Sequence, residues 1–344
     1  MSDPRVSVVI LNFNGRNLLA DCLNAVRAQH GCSFETILVD NGSTDGSVEL
    51  VRRDYPDVRL IEAGRNLGFA EGNNLGVAQA RANLVVLLNN DTIVSPGWLS
   101  ALVESMDSPD VAVASSRILT RGIPEEYYRR TGSLNLLGHN VMEVFGNTEN
   151  LFYCGGASLI FKKDKLGQPF DPEYFVYSED VYLSLRARFM GFRVVQVNGS
   201  IVDHIGGATT GTTKSTRVAM LQERNRILNL LLFFSSWTII RVLPLLAASM
   251  LAKLAMGIFS TRYSFRGTVW AWAWLVSHPG YIRNRRRVLA ADKRLPESDV
   301  IAWMSGRVAG GSSPVSRAID AFALAYMRLV GLRTAESFPA LTRG

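Results

Sequence analysis

The first quarter of the chain alternates short apolar runs with amphipathic segments, and this alternation restricts the possible folds more than any other feature. The apolar runs predict β-strands at residues 6–11, 35–40, 58–62 and 84–89. Apolar residues at helical spacing predict helices at residues 18–29, 47–53 and 70–81. Strands that alternate with helices predict an α/β fold, a mostly parallel sheet with helices on both faces. Because such sheets bind ligands at the carboxyl ends of their strands, the residues after each strand are the functional candidates.

Two of these strand ends carry groups suited to a nucleobase. Phe13 follows the first strand, where an aromatic ring is suited to stacking; an ordinary core position is the alternative. Asp40 ends the second strand, and its carboxylate is suited to accept hydrogen bonds from a base imide. Asp45 and Ser47 are interpreted as a turn and a helix cap, because both positions favour these residue types.

The segment 64–74 is dense in glycine and asparagine and comes directly before a predicted helix. Glycines let a backbone approach a ligand closely, and helix N-termini favour anions. The spacing of Asn66, Asn73 and Asn74 therefore indicates a role in ligand binding or in the architecture of the loop.

Acidic residues and one histidine complete the set of candidates. Asp91 follows the apolar fourth strand, and hard divalent cations prefer oxygen ligands; a strand-terminating turn is the alternative. His204 precedes a Gly/Thr-rich loop at residues 206–211, a pattern suited to a metal or a diphosphate, although a structural histidine remains the alternative.

Glu179 and Asp180 open a further predicted helix, where acidic residues often interact only with the helix dipole. A general base needs a carboxylate within hydrogen-bond reach of the hydroxyl that it deprotonates. We expect that two adjacent acids do not both face one site. One of them is then catalytic at most, and the other faces away or fixes the helix end.

The order of these motifs is more specific than any one of them. A strand ending in Asn-Phe-Asn-Gly is followed by Asp-Asn-Gly-Ser-Thr-Asp-Gly-Ser, Asn-Leu-Gly-Phe-Ala-Glu-Gly-Asn-Asn, Asn-Asn-Asp-Thr, Ser-Glu-Asp and a histidine. Over residues 5–226 the chain resembles family 2 glycosyltransferases, and most of all their bacterial rhamnosyltransferase-like branch. The resemblance implies a GT-A fold, a nucleoside diphosphate sugar as donor, and inversion at the anomeric carbon.

The resemblance also implies roles for individual residues. Those implied for binding the donor nucleotide are Phe13, Asp40, Asn66, Gly68 and Asn90. Those implied for a divalent metal, Mg²⁺ or Mn²⁺, are Asp91 and His204, and Asp180 is implied as the base. Two positions depart from the family pattern. Asn89 stands where the family has the first Asp of its Asp-x-Asp motif, and Tyr182 replaces the last acid of the base motif.

The region 227–344 is predicted to be helical and membrane-associated. Arg241 and Lys253 interrupt its apolar runs, each of which is shorter than the roughly 20 residues that span a bilayer. Asn225, Asn229 and Ser236 share one helical face, which suggests a helix lying in the membrane plane. Three tryptophans, Trp270, Trp272 and Trp274, are expected at headgroup depth. The side chains expected to attract anionic lipid are Arg283, Arg285, Arg286 and Arg287. A buried helical subdomain and a dimer interface are the alternatives.

These observations predict a glycosyltransferase domain at residues 1–226 and a membrane-associated region at 227–344. The net charge of +7 favours anionic partners. The expected partners are a dTDP- or UDP-sugar, a lipid-linked saccharide acceptor and an anionic membrane surface, with no nucleic acid and a homodimer left open. Three unpatterned cysteines fit the cytoplasmic face of an inner membrane.

Two other functions fit parts of the pattern. A sugar nucleotidyltransferase shares the α/β core, but it would carry a Gly-rich, Arg/Lys-bearing signature after the first strand, which residues 12–16 lack. A non-catalytic nucleotide-binding membrane protein is the second alternative. The intact Asp91, Asp180 and His204 argue against it.

Overall fold

A computed structural model describes residues 3–120, 133–141, 150–205, 215–259 and 263–338. The chain forms two compact units. The first comprises residues 1–128, 154–183 and 192–209, and the second comprises residues 129–153, 184–191 and 210–344. The domain boundary at residue 226 stays a prediction, although residues 210–226 belong to the second unit.

The first unit is built on an eight-stranded sheet in the order β3-β2-β1-β4-β9-β6-β10-β5. Its strands are β1 Val6–Asn12, β2 Phe34–Asp40, β3 Arg59–Glu62, β4 Leu84–Asn89, β5 Thr92–Val94, β6 Val111–Thr120, β9 Ser158–Lys162 and β10 Arg193–His204. The pairs β1–β2, β2–β3, β1–β4 and β6–β10 are parallel, whereas β9 and β5 run antiparallel to their neighbours. The mostly parallel α/β sheet predicted from the sequence is confirmed.

Helices cover both faces of this sheet. They are α1 Arg16–Arg27, α2 Ser47–Asp54, α3 Gly68–Gln79, α4 Trp98–Ser105 and α5 Lys163–Leu166, and α6 Glu179–Phe189 begins here and ends in the second unit. Val8 belongs to the buried cluster formed with α1 and α4. Its neighbour Val9 faces α3, because a Cβ added at Gly76 of α3 would lie 2.4 Å from Val9 Cγ1. Since successive strand residues point to opposite faces, these contacts place helices on both sides.

The second unit contains the two-stranded pair of β7 Ser133–Leu134 and β8 Asn140–Val141 and the remaining helices. These helices are α7 Thr216–Phe233, α8 Ser236–Phe259, α9 Phe265–Ser277, α10 Pro279–Asp292, α11 Glu297–Ile301 and α12 Pro314–Leu329. The apolar run 227–240 divides between α7 and α8, and α8 continues through Arg241 and the run 242–252. The Arg241 guanidinium lies 4.8 Å from the centroid of the exposed Trp237 ring, and Lys253 Nζ lies 2.6 Å from Glu223 Oε2.

Within the described residues, the segment Ser236–Ile258 of α8 is long and apolar enough to cross a membrane, judged by length and composition alone. The sequence expectation measured each uncharged run separately, whereas α8 continues through Arg241 and Lys253 without ending. A membrane-associated region at residues 227–344 stays a prediction.

The polar helical face expected from Asn225, Asn229 and Ser236 does not form. Asn225 and Asn229 lie in α7 and are buried, whereas Ser236 begins α8 and is exposed. The sequence pattern assumed one continuous helix, whereas the three residues belong to two separate helices. The amide side chains of α7 consequently serve the interior of the second unit and do not face water.

The close contact between α3 and the sheet gives a test of the fold. Gly76→Ala would place a methyl group 2.4 Å from Val9 Cγ1 and 3.0 Å from Val39 Cγ2, both on fully buried strand residues. We expect destabilisation of about 1–3 kcal/mol, as for other overpacked cores. Amide hydrogen exchange of β1 and β2 peptides, read by mass spectrometry, measures it.

Gly280→Ala is the matched control, because Gly280 lies in α10 with no atom within 4 Å of the added methyl group. This variant is expected to be neutral or stabilising by up to about 1 kcal/mol, since alanine favours helix more than glycine does. Unchanged exchange protection in Gly76→Ala would contradict the described packing of α3.

Candidate functional site

Asn12, at the carboxyl end of β1, joins the ends of three neighbouring segments. Its side chain is fully buried. Its Nδ2 donates to Asp40 Oδ1 at 3.3 Å and to Ser43 Oγ at 3.1 Å, while its Oδ1 accepts from Asn90 Nδ2 at 2.7 Å. The side chain therefore fixes the β2 and β4 strand ends relative to β1.

Asp40, at the end of β2, holds the turn that follows it. The carboxylate is 3% exposed, and its Oδ2 accepts backbone N–H bonds from Gly42 at 3.2 Å and from Ser43 at 2.9 Å. Phe13 lies at the adjacent end of β1 and is exposed, so its ring is not the core residue named as the alternative. The structure brings both residues predicted for base binding to neighbouring strand ends.

The loop before α3 is organised by asparagine side chains. Asn41 Oδ1 accepts from Leu67 N at 2.8 Å, and Asn41 Nδ2 donates to Gly68 O at 3.1 Å and to Asn66 Oδ1 at 3.2 Å. Asn66 Oδ1 also accepts from Gly68 N at 2.8 Å. The loop-architecture interpretation is thus supported by direct hydrogen bonds, and Asn66 itself is exposed.

Asn73 and Asn74 have architectural contacts as well. Asn73 Nδ2 donates to Phe69 O at 2.9 Å. Asn74 donates to Phe170 O at 3.0 Å and accepts from Phe170 N at 3.2 Å, which binds α3 to the segment that precedes α6.

Gly68 brings the loop before α3 against the segment that precedes Asp180. Its φ of +83° is a conformation that favours glycine, and a Cβ there would lie 2.4 Å from Phe175 Cδ2. Ala70 N donates to Phe175 O at 3.0 Å. The loop before α3 therefore contacts Phe175, which lies in the segment that leads to the predicted base.

Asp91 and His204 come together where β5 begins and β10 ends. The antiparallel register of β10 and β5 places His204 opposite Thr92, and Ile205 N donates to Asp91 O at 3.0 Å. His204 Nε2 lies 3.2 Å from Asp91 Oδ1. The side chain of Asp91 is largely buried, and that of His204 is about one quarter exposed.

The donor atoms of this pair fit a divalent cation. His204 Nε2 is buried and has no hydrogen-bond partner, although Asp91 Oδ1 lies within contact distance. A carboxylate oxygen and an imidazole nitrogen that converge without a hydrogen bond are suited to share a metal ion. Among the described residues no group of three or more His, Cys, Asp and Glu side chains could hold a metal. Two protein ligands therefore leave most coordination positions to ligand oxygens and water, a pattern that suits Mg²⁺.

Asp180 lies at the start of α6 and is oriented by backbone N–H groups. Its Oδ2 accepts from Gly156 N at 3.2 Å and its Oδ1 accepts from Val181 N at 2.7 Å. Gly156 directly precedes Ala157, whose carbonyl accepts from Asn89 N at 2.9 Å. Asp180 and the Asn89–Asp91 segment are thus connected through residues 156 and 157.

Burial raises the pKa of the Asp180 carboxyl, and the N–H bonds from Val181 and Gly156 offset part of that rise. The carboxyl is therefore a stronger base than an ordinary aspartate.

Both acids of the Glu179-Asp180 pair face Gly156, contrary to the expectation that only one faces a site. A Cβ at Gly156 would lie 3.6 Å from Asp180 Cβ and 3.8 Å from Glu179 Oε1. Three residues just before the helix, Phe175, Tyr177 and Ser178, have positive φ angles of 59°, 75° and 63°. Such non-glycine residues cost about 1–3 kcal/mol each, and conformations of this kind cluster at functional sites.

The sequence patterns did not predict the roles of some residues that form the site. Asn12 and Asn41 lie inside motifs that were singled out, at strand ends where a buried amide is suited to join neighbouring loops, but their hydrogen-bond partners depend on tertiary contacts. Phe175 gave no local signal. The predicted phosphate-binding loop at residues 206–211 lies outside the described residues.

Comparison with solved structures defines the class of fold. A mannosyltransferase from Pyrobaculum calidifontis in complex with GDP-Man and Mn²⁺ superposes with a TM-score of 0.51 at 18% identity, over 96% of this chain and 86% of that chain. GalNAc-T7 with UDP, GalNAc and Mn²⁺ gives 0.59 at 16% identity, over 80% of this chain and 58% of that one. The protein therefore has the GT-A fold expected from the motifs.

Sequence comparison finds similarity to glycosyltransferases over the first part of the chain. Residues 7–167 match the model of glycosyl transferase family 2. The O-antigen biosynthesis protein RfbC of Myxococcus xanthus is 28% identical over 211 residues, 56% of this chain and 16% of that protein. N-acetylglucosaminyl-diphospho-decaprenol L-rhamnosyltransferase of Mycobacterium tuberculosis is 26% identical over 215 residues, 53% of this chain and 70% of that protein.

Residues 7–167, slightly less than half of the chain, are therefore similar to glycosyl transferase family 2. The matched segment is only a small part of the Myxococcus protein.

The Asp91–His204 pair gives a test of the metal site. We expect that Asp91→Asn and His204→Gln each weaken Mn²⁺ binding by at least about tenfold, since each removes one of two protein ligands. Electron paramagnetic resonance of free Mn²⁺, titrated with and without UDP, measures the affinity.

Asp203→Asn is the control, because Asp203 is exposed and adjoins His204 in the chain. It should leave Mn²⁺ affinity unchanged. Wild-type affinity in both site variants would remove Asp91 and His204 from the metal site.

Proposed function

We propose that the protein is an inverting glycosyltransferase that moves a sugar from a nucleoside diphosphate sugar to a saccharide acceptor. The observation that carries this proposal is the position of Asp180, a carboxyl of raised pKa that is linked through Gly156 and Ala157 to the segment bearing Asp91. A base and a cation site on connected strand ends suit a displacement at an anomeric carbon.

The donor nucleotide is proposed to bind at the carboxyl ends of β1, β2 and β4. Phe13 is exposed beside Asp40 and is suited to stack on the base, while Asp40 accepts from the base imide. Asn66, Gly68 and Asn90 line the same edge, and the Asn12 side chain orients Asn90 and Asp40. The diphosphate extends from these residues toward Asp91.

Asp91 and His204 are proposed to hold Mg²⁺ or Mn²⁺ against the diphosphate. A divalent cation there supplies charge stabilisation for the leaving nucleoside diphosphate. The position of Asn89 removes the first acid of the family's Asp-x-Asp motif, so Asp91 is the principal carboxylate ligand. Asp91 reaches the site through the β4–β5 turn, which Thr92 Oγ1 closes by donating to Asn89 O at 2.6 Å.

Asp180 is proposed to accept the proton of the acceptor hydroxyl as that oxygen attacks. Its two backbone N–H bonds fix the carboxylate, and its raised pKa increases the driving force for proton transfer. The rate then requires the deprotonated form. We therefore expect activity to fall as the pH decreases through a pKa above the ordinary aspartate range.

The sugar and acceptor are proposed from relatives. The Mycobacterium relative is named as an L-rhamnosyltransferase that acts on a diphospho-decaprenol saccharide. We propose rhamnose on dTDP, with UDP-sugars as the alternative donors, and a lipid-linked acceptor in cell-surface polysaccharide assembly. A donor screen with a polyprenyl-linked acceptor and Mn²⁺, read by product mass, tests this. Transfer from no donor, or pyrophosphate exchange instead, would refute it.

The second unit is proposed to rest on the cytoplasmic face of the inner membrane. Most of its exposed large apolar side chains lie on α8, α9 and α12; they include Trp237, Ile240, Leu243, Leu251, Ile258, Phe265, Trp270, Ile319 and Phe322. Exposed apolar surface of this extent marks interaction sites, and the exposed Arg283 and Arg287 of α10 suit anionic headgroups. Tyr326 of α12 donates to Arg241 O at 2.8 Å, which packs two of these helices together.

Asp180→Asn tests the base. We expect turnover to fall about 10²–10⁴-fold, because general base catalysis typically contributes that much. Affinity for UDP or dTDP, measured by calorimetry, should stay as in the wild type, since the backbone groups that bond to Asp180, Gly156 N and Val181 N, belong to residues that are not proposed to bind the donor. Near wild-type turnover in this variant would remove Asp180 from the mechanism.

Vesicle sedimentation tests the membrane surface. The wild type should pellet with vesicles that contain anionic lipid, and high salt should release it only in part. Ile319→Asp with Phe322→Asp should abolish pelleting, whereas Arg283→Glu with Arg287→Glu should remove only the salt-sensitive part. Wild-type protein that stays in the supernatant without detergent would contradict the proposal.

A further inference from the structure

The mechanism leaves one buried acid in the site unused. Glu179 is the first residue of α6 and is 6% exposed. Its Oε1 lies beside Gly156, 3.8 Å from the position of an added Cβ, next to the Asp180 carboxyl. Its Oε2 is buried and has no hydrogen-bond partner in the described part of the chain. Buried side-chain oxygens are rarely left without a partner, so this atom needs an explanation.

The surroundings decide which of the two acids holds a proton. Burial raises the pKa of Glu179, and the charge of Asp180 raises it further. Asp180 receives backbone N–H bonds from Gly156 and Val181, which favour its charged form. Since two desolvated neighbours do not readily both ionise, Asp180 carries the charge and Glu179 carries the proton.

Few other titratable groups act on Glu179. Tyr177 is a neighbour whose own pKa is raised by burial and then by Glu179. Within the described residues, the only ionisable group that shifts the Glu179 pKa is Asp180, and no Arg or Lys contributes. The acid is therefore held neutral by its setting. The two carboxyls titrate as a pair, in two steps that belong to both.

We propose that Glu179 is a sugar-binding residue whose protonated carboxyl donates a hydrogen bond from the unpartnered Oε2 to a hydroxyl of the sugar beside Asp180. A neutral carboxylic acid both donates and accepts, and therefore matches a hydroxyl, whereas a second carboxylate would only accept. The inference rests on the proposed function. The hydroxyl belongs either to the donor sugar or to the acceptor sugar, and the kinetics below separate these sources.

Glu179→Gln and Glu179→Ala form the decisive pair. Glutamine keeps a neutral side chain with a donor, so we expect kcat/KM near neutral pH to stay within about threefold of the wild type. Alanine removes the donor, and kcat/KM should fall about ten- to a hundredfold for a lost hydrogen bond to a sugar hydroxyl. A rise in the KM of the nucleotide sugar identifies the donor sugar, and a rise in the acceptor KM identifies the acceptor.

The pH profile separates this role from a structural one. In the wild type, activity should decline at alkaline pH as Glu179 loses its proton. Glu179→Gln should lack this alkaline decline and keep the acid limb of Asp180. Glu49→Gln is the matched control, since Glu49 lies in the first turn of α2 and is exposed, and it should keep the wild-type profile.

Infrared spectroscopy tests the protonation state independently of turnover. Near neutral pH the ligand-free protein should show a carboxylic C=O band that Glu179→Gln removes and Glu49→Gln retains. Binding of the cognate sugar ligand should shift the band to lower frequency. If no donor supports transfer, the proposed function fails while this band still tests Glu179.

Three outcomes would overturn the inference. One is the absence of the Glu179 band, or a band that no sugar ligand shifts. Another is a Glu179→Gln variant as impaired as Glu179→Ala, because the carboxylate would then be the active form. The third is unchanged KM values and pH profile in both variants, with thermal unfolding confirming that they fold.

Discussion

The carboxylamide of Asn12 is the contact on which the site depends. It is fully buried at the end of the central strand β1, and its two polar atoms contact Asp40, Ser43 and Asn90. A buried polar group without partners costs about 1–3 kcal/mol, so each of these neighbours is held where the amide requires it. The edge proposed to bind the nucleotide is thus set by one side chain whose own position is set by the apolar core of β1.

The fold was predictable from the sequence to the extent that apolar periodicity determines it. The four first strands and three first helices are found close to their predicted positions, because a parallel sheet buries its strands on both faces and leaves near-continuous apolar runs. Once the strands were predicted, the residues at their carboxyl ends could be identified as candidates for the site. The Asp91–His204 contact depended on the motif order of a known family, since the two residues are far apart in sequence and meet only through the register of β10 and β5.

In the second unit, sequence patterns alone did not predict the environment of the polar and charged side chains. Arg241 and Lys253 were expected to interrupt the apolar region, yet α8 runs through both: Arg241 lies over the Trp237 ring, and Lys253 pairs with Glu223 of α7. Asn225 and Asn229 were expected to face water, yet tertiary packing buries them. The spacing of polar residues along a helix does not tell whether their side chains face water or are buried in the protein interior. The approach of both Glu179 and Asp180 to Gly156 was not predictable either, because it depends on a contact between residues far apart in the sequence.

The contact between Gly68 and Phe175 has a consequence for redesign of this protein. The segment before α3 carries Asn66 and Gly68, which are proposed to bind the donor nucleotide, so its exchange is a direct way to change the donor preference. Here a side chain larger than hydrogen at residue 68 would displace Phe175, and with it the segment that leads to Asp180. A transplanted loop would alter turnover together with specificity. Libraries should therefore vary residues 64–74 and 171–178 as one block, with Gly68 left unchanged.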